Sequence, residues 1–421
     1  MKLKINKNIF TKFLIILIST YLMNMFYFKA ISHYQKILTW FVVLFYLFIN
    51  IKVINTYIKK INKKITGVLC LGFLWLVIIL LTPIIHNTND FSYLSTLINL
   101  LGFFINQIAI IVLLTRHPVF GNIRESYMKV IVYSSVFYVL STISCLIFPS
   151  IREVIIKLID ISEENLFLLR IEKYSTRIGF AGFSGYSASL KCAIANSFVI
   201  IFIMEKLLKK EKIGLKLISL YLFTALGCFF YSRTSIIAIL IFLVVTILYS
   251  CFKAGNLKLF FSMSIAILLV TILFPYLFSI ADKYDSLRWI FEPILNYNEN
   301  ENFSSTSSDH LIKDMLFSID EDTFLLGDGK YTGPSGYYMK TDIGFMRLIL
   351  YFGIFGVILT YYIDLLVVNK IKKCFDKSIN QILSMLLLIT LIIFECKGES
   401  IILVFPIYFC LLCCCLLSME E

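Results

Sequence analysis

The chain has 421 residues, 59% of them hydrophobic and 16% charged, with a mean hydropathy of +0.85 and a formal net charge of +12. That composition excludes a soluble domain, and the recurring apolar runs near twenty residues read as membrane spans. The positive charge does not indicate nucleic acid, because the lysines lie in short linkers between apolar runs, with no aromatic-and-basic platform and no DNA-reading motif.

Residues 1–12 are basic, and the apolar run after them lacks a small-residue cleavage site, so it reads as a first span rather than a signal peptide. Hydrophobic windows place twelve spans near 10–28, 37–54, 66–85, 91–114, 128–148, 185–205, 215–231, 234–251, 258–280, 342–368, 380–394 and 400–418. With a cytoplasmic N-terminus, the inner connections carry 23 lysines and arginines and the longer outer ones carry 14. The outer connections also hold most of the acids, including Asp282, Asp285, Glu299, Glu301, Asp320, Glu321 and Asp322. The positive-inside rule then puts both termini in the cytoplasm and both long loops, 149–184 and 281–341, outside. The expected architecture is a single all-α polytopic membrane domain over 1–421, with a large extracytoplasmic loop between spans nine and ten. No repeat relates the two halves.

Most of the eleven cysteines fall inside spans, and Cys396 alone lies in an outer segment, which argues against an exofacial disulfide framework. Cys410 and Cys413 have CxxC spacing but no histidine or carboxylate nearby, so they read as small apolar residues of the last span. Neither a metal site nor a cofactor is expected.

The first long loop contains IREVIIKLIDISEENLFLLRIEKYSTR, with apolar residues near helical spacing, and is expected to lay an amphipathic helix on the outer interface. Arg177 follows it, in a glycine-rich lead into the sixth span, and Arg233 opens the eighth. Both lie outside, against the positive-inside trend, and both precede helices that run inward. A helix N-terminus disfavours a cation and favours an anion. An arginine beside one makes sense where both face a bound anion such as a phosphate; the plain alternative is contact with lipid headgroups. Lys191, inside the sixth span, and Asp364, in the tenth, are costly at such depth and call for a cavity or a partner.

The second long loop supplies Arg288, Asp309 and His310, and ends in FLLGDGKYTGPSGYYMKTDIGFMRLILYFGIFGVILT over 324–360. Gly327, Gly329, Gly333, Gly336 and Pro334 oppose regular structure before Asp342. A loop of this length in a compact membrane protein is more often functional than idle. GDGKY lacks the GxxxxGK[ST] form and a strand–helix context, so it is no P-loop. Asp342, Met346, Ile349, Gly353 and Gly356 share one helical face, and the glycines there would admit another helix. Asp342 suits an ordinary N-cap as well as a catalytic role. Arg347 projects the other way, to snorkel or to line a cavity.

Three places together resemble one family: Arg177 with Gly179 before a span, Ser232-Arg233-Thr234 opening a later one, and the long outer loop closing with LLGDGKY…TDIGFMRLILYFGIFG. They are similar to the bacterial O-antigen and capsule repeat-unit polymerases (Wzy), relatives of the O-antigen ligases. The resemblance implies a GT-C-like glycosyltransferase fold acting on undecaprenyl-pyrophosphate-linked oligosaccharides at the outer face of the cytoplasmic membrane. It implies transfer of the growing glycan onto the non-reducing end of another lipid-linked repeat unit. Membrane lipid, a chain-length regulator and a flippase are the partners it implies. The family's functional outer-loop arginines match Arg177 and Arg233, with Arg288 and Arg347 as further pyrophosphate-binding candidates. The ligase branch carries a histidine just before the span that follows the loop. This chain has Asp342 there and His310 some thirty residues earlier, which fits the polymerase branch and leaves the base open. Asp342 is the first choice, Asp309 or His310 the second. Tyr297, Phe303, Tyr331, Tyr337 and Tyr338 are candidates to stack on sugars. The rival reading, a transporter or lipid-linked oligosaccharide flippase, predicts repeated halves, broken mid-membrane helices and buried charge pairs.

Overall fold

A computed structural model describes residues 7–252, 285–300, 305–334 and 336–419. The chain is a helical bundle embedded in a membrane. Its apolar helices are α1 (Lys7–Met23), α2 (Ser32–Ile49), α3 (Ile51–Ile85), α4 (Tyr93–Arg116) and α5 (Ile123–Ile147). After two short helices, α6 (Pro149–Leu158) and α7 (Glu163–Arg170), come α8 (Tyr186–Leu208), α9 (Leu215–Tyr231) and α10 (Arg233–Phe252). The second long loop contributes α11 (Asp285–Asn300), α12 (Thr306–His310) and α13 (Glu321–Leu326) before α14 (Gly344–Lys373), α15 (Asn380–Glu395) and α16 (Ile401–Ser418). Among the described residues, eight helices are long and apolar enough to cross a membrane, and α1, α9 and α15 are shorter apolar helices. The expected span at 258–280 lies outside the described residues.

The apolar positions sort the helices by depth. The α8 helix is buried almost throughout and packs on α5, α9 and α15, whereas α2 exposes nearly all its apolar side chains and sits at the rim. The linker expected at 52–65 is helical. Asn50 alone separates α2 from α3, and α3 runs 35 residues, roughly 52 Å at 1.5 Å per residue. That exceeds a hydrocarbon core of about 30 Å, so the lysine-rich first turns of α3 project beyond it.

The amphipathic helix expected in 149–184 is two helices. The Lys29 N–H donates to the Leu158 carbonyl at 2.7 Å and the Asp160 N–H to the Tyr27 carbonyl at 2.8 Å. This pairing draws 159–160 out of the helix. Ile151, Val154, Leu158 and Phe167 remain exposed, an apolar surface for the interface. After it, β1 (Ile178–Gly179) and β2 (Gly182–Phe183) make a two-residue hairpin that leads into α8.

The glycine-rich end of the second loop is more ordered than its composition suggests. The short helix α13 is followed by a hairpin of β3 (Thr332–Gly333) and β4 (Gly336–Tyr337). Asp342 is not a cap: α14 begins at Gly344, with Ile343 before it and no side-chain capping bond.

The α14 helix is broken at Gly353, where φ is 70° and ψ −179°, a region that is essentially glycine's alone. Below the break α14 runs antiparallel along α3. The Lys370 Nζ donates to the Lys64 carbonyl and the Trp75 indole N–H to the Thr360 hydroxyl, both at 2.8 Å. Above it the register fails: Tyr351 donates to the Ile79 carbonyl at 3.3 Å, nine residues from Thr360 on α14 but only four from Trp75 on α3. Residues 344–352 therefore leave the α3 axis. The second loop fills the gap, with the Asp328 N–H donating to the Leu350 carbonyl at 2.7 Å. A Cβ at Gly353 would stand 2.2 Å from the Leu325 carbonyl oxygen. Gly353 thus admits close backbone, as its face suggested, but from the outer loop and not from a spanning helix. A Cβ at Gly356 would instead meet Phe352 of its own helix.

The turn between α15 and α16 is sunk. Ile401, at the start of α16, lines one cavity with Leu100 and Phe104 of α4 and with Thr360 and Asp364 of α14. Leu100 is seven residues into α4, about 10 Å from its outer end.

Gly353→Ala is expected to destabilise the protein by about 1–3 kcal/mol from the backbone conformation alone, with the Leu325 clash added. Thermal unfolding in detergent measures this. The control Gly67→Ala, whose Cβ meets nothing within 4 Å, should leave the melting temperature unchanged or slightly raised.

Candidate functional site

Arg177 and Arg233 come together at one end of the bundle. Arg177 is held by a tight turn, its N–H donating to the Tyr174 carbonyl at 2.9 Å and its own carbonyl accepting from the Ser184 N–H at 2.8 Å. Arg233 starts α10 one residue after Ser232, which ends α9. Between them α11 presents Trp289, which is buried. The guanidinium carbons of Arg177 and Arg233 lie 4.4 and 4.7 Å from the centroid of that one indole ring, well within cation–π range. Tyr174 adds a second ring to Arg177 at 5.0 Å.

One turn after Trp289, the Glu292 carboxylate accepts from the Arg233 Nη2 at 2.5 Å and from the Thr306 N–H at 2.9 Å. Burial pushes the Glu292 carboxyl up, but these bonds and the Arg233 and Lys173 charges outweigh it and hold it below the usual carboxylate range. Burial pulls the Arg177 guanidinium down to about 10; Tyr174 opposes the shift and the Arg233 charge adds to it. Arg177 therefore stays charged at neutral pH beside a like charge, with no carboxylate paired to it among the described residues. Among the described residues, the buried Arg177 Nε and the Arg233 Nε and Nη1 have no hydrogen-bond partner. Three N–H donors and two cations at this depth are the groups that an anion site requires.

The sunken turn 396–400 joins this cluster. Lys397 has Asp342, Arg177 and Arg233 as its electrostatic neighbours, and its Nζ reaches the Ser307 hydroxyl at 3.5 Å. Asp342 is half-buried and lies in the field of Lys397. The other candidates have contacts of their own. Asp309 faces Lys313 at 3.8 Å, and His310 bonds Asp314, both along their own exposed stretch of chain. Arg288, beside Trp289 in sequence, is exposed on α11.

Arg347 neither snorkels nor joins the anion site. It is buried, its Nε 3.2 Å from the Glu399 Oε1, and its guanidinium carbon lies 3.4 Å from the Tyr337 ring and 4.6 Å from the Tyr331 ring. Two of the tyrosines expected to stack on sugars thus pack on this arginine; Tyr338 lies over Lys330, Tyr297 is exposed, and Phe303 lies outside the described residues. Lys191 is satisfied structurally. Its Nζ donates to the Met23 carbonyl and, at 3.1 Å, to the Asn24 side chain, a cation at the C-terminal end of α1.

The sequence reading missed Trp289, Glu292, Lys397, Glu395 and Glu399. The signal for the last three was present in ECKGES, three charges within five residues between two spans. Trp289 and Glu292 carried only a weak one, i and i+3 on a short amphipathic helix. Asp90 was missed as well, and it clamps the hairpin over Arg347. Its carboxylate accepts the Tyr331 N–H at 2.7 Å and the Thr332 N–H at 2.9 Å. Burial raises the Asp90 carboxyl, and hydrogen bonds from Ser92, Thr332 and Tyr331 bring it below the ordinary value.

No known family profile matches this sequence, and no curated protein and no solved structure is significantly similar to it.

Asp90→Ala is expected to speed hydrogen exchange at the Tyr331 and Thr332 amides by about tenfold or more, since a charged hydrogen bond contributes about 1.5–3 kcal/mol. The folded Asp90 value is depressed, so its contribution is full above the unfolded value of about 4 and is lost as pH falls through the lower folded value. The same amides in the wild type should lose protection, their exchange approaching the intrinsic rates, only in that acid window.

Proposed function

We propose that the protein is a membrane glycosyltransferase of the polysaccharide-polymerase kind, with twelve spans, cytoplasmic termini and both long loops outside. In this reading it transfers a growing glycan from undecaprenyl pyrophosphate to the non-reducing end of a lipid-linked repeat unit. The observation that carries it is the convergence of Arg177 and Arg233 on Trp289, with three buried N–H groups unpartnered. A diphosphate leaving group develops negative charge as its bond to the sugar breaks, and fixed guanidinium donors stabilise that charge. In the step itself the acceptor hydroxyl oxygen attacks the anomeric carbon. The carbon–oxygen bond to the diphosphate breaks, its electron pair leaves with the diphosphate, and the hydroxyl proton passes to the Asp342 carboxylate. Lys397 has both Asp342 and the two arginines as electrostatic neighbours.

A second reading is favoured by two specific observations. The helix break at Gly353 and the buried Arg347–Glu399 pair are what a transporter or flippase of lipid-linked oligosaccharide would carry. An O-antigen ligase differs from the first reading only in its acceptor.

Reconstitution with lipid-linked repeat units, resolved by gel, separates these. Wild type should build a ladder, and Arg177→Ala or Arg233→Ala should slow it about a hundredfold or more while eluting as folded protein. Passage of the substrate across the bilayer with no ladder would replace the enzyme with a flippase.

A further inference from the structure

Three carboxyls, of Asp364, Glu395 and Glu399, are buried around the sunken turn, and Arg347 is buried with them. Arg347 pairs with Glu399. Among the described residues no cation pairs with Glu395 or Asp364. The Glu395 Oε2 accepts the Ser400 N–H at 2.8 Å and the Ser400 hydroxyl at 2.7 Å, while its Oε1 has no hydrogen-bond partner. Asp364 is 2% exposed, and among the described residues neither of its oxygens has a hydrogen-bond partner.

An ionised carboxylate without a partner is among the costliest groups to bury inside a membrane protein, and neighbouring carboxylates resist a second ionisation. Glu395, with two donors on one oxygen, is the better-supported anion. Asp364, with none, is the better seat for a proton.

Two further observations point to an exchangeable ligand. The Tyr93 hydroxyl, 1% exposed, has no partner and lies in the field of Glu399 and Glu395. Asp364 also lines a cavity of about 260 Å³ and is its one charged wall residue. Leu69, Phe73 and Leu101 of that cavity are exposed on the bundle surface, so it opens toward lipid. The α3 and α4 walls bring no titratable group. The other groups facing the pair are Tyr361 and Arg347 of α14, Tyr408 of α16, Tyr186 of α8, and Cys396 and Glu399 of the turn. Tyr408 donates to the Leu387 carbonyl, and Tyr186 to the Phe394 and Gly398 carbonyls. None of these supplies a second cation.

We propose that Asp364 is a binding site for one exchangeable proton at the wall of the lipid-facing cavity, with Glu395 as the fixed anion whose field favours the protonated form. Release breaks the Asp364 O–H bond, leaves its electron pair on the carboxylate and passes the proton to a water molecule that enters the cavity. The site stands independently of the glycosyltransferase reading and serves either of the two proposed functions.

Dicyclohexylcarbodiimide tests it, because this apolar reagent adds the O–H of a protonated carboxyl across its C=N bond and enters from hydrocarbon. The full chain in lipid nanodiscs, labelled and mapped by peptide mass, should carry an adduct on Asp364 at neutral pH. The adduct should fall several-fold as pH is raised, be unchanged when Na⁺ replaces K⁺, and be absent from Asp364→Asn. Absence of the adduct from wild type, or labelling that ignores pH, overturns the proposal. Protection by Na⁺ also overturns it, by making the pair a metal-cation site. The wild-type arms decide the matter even if Asp364→Asn does not fold.

Discussion

The backbone contact between Gly353 and the Leu325–Gly327 segment is the constraint on which the half of the bundle that carries the second loop depends. A helix interrupted within a membrane leaves N–H and C=O groups that lipid cannot satisfy. Here the second loop supplies protein in place of lipid, and the Asp328 N–H takes up the Leu350 carbonyl. Because the break is supported, residues 344–352 leave α3 and carry Arg347 sideways into the bundle. Gly344 then fits against the turn 396–400, where a Cβ would stand 2.4 Å from the Glu395 Oε1. One glycine contact therefore sets where the sunken turn lies, and through it the positions of Lys397, Glu395 and Glu399.

Charge in this bundle is divided between two neighbouring regions of opposite balance. Around Trp289 the cations Arg177, Arg233 and Lys397 exceed the one carboxylate that bonds any of them among the described residues, Glu292 on Arg233. Around the turn, Asp364, Glu395 and Glu399 exceed the one cation, Arg347. The turn 396–400 belongs to both regions, with Lys397 facing one and Glu395 and Glu399 the other. An excess of either sign at such burial is costly, and each is the mark of a ligand of opposite charge: an anion for the first, a proton for the second.

Much of the fold was legible in the sequence because apolar length and period survive in any membrane helix. All the expected spans that fall on described residues coincide with apolar helices, and Arg177 and Arg233 were singled out because their charge opposed the positive-inside trend. What stayed hidden depended on tertiary geometry. No local pattern states that α11 folds back to put Trp289 against both arginines, or that Asp90, more than two hundred residues earlier, clamps the hairpin. Arg347 was read as open because an isolated helix has two outward faces; only the turn between α15 and α16 closes one of them. Asp309 and His310 each have an i, i+4 partner whose rotamer a sequence does not reveal, and the partner that Lys191 called for is the end of α1, which no local pattern names.

The long helix α3 has a mechanical consequence. Below Gly353, α14 is splinted to it along about three turns of matched register and pinned at its base by Lys370 on the Lys64 carbonyl. Above Gly353 the intrahelical hydrogen-bond ladder is interrupted. A push on the outer segment that carries Arg347 is therefore absorbed as rotation about one glycine and is not delivered as a piston stroke along the rest of α14. The part of α14 beyond Gly353 stands as a fixed frame, and residues 344–352 alone can answer what binds beside them.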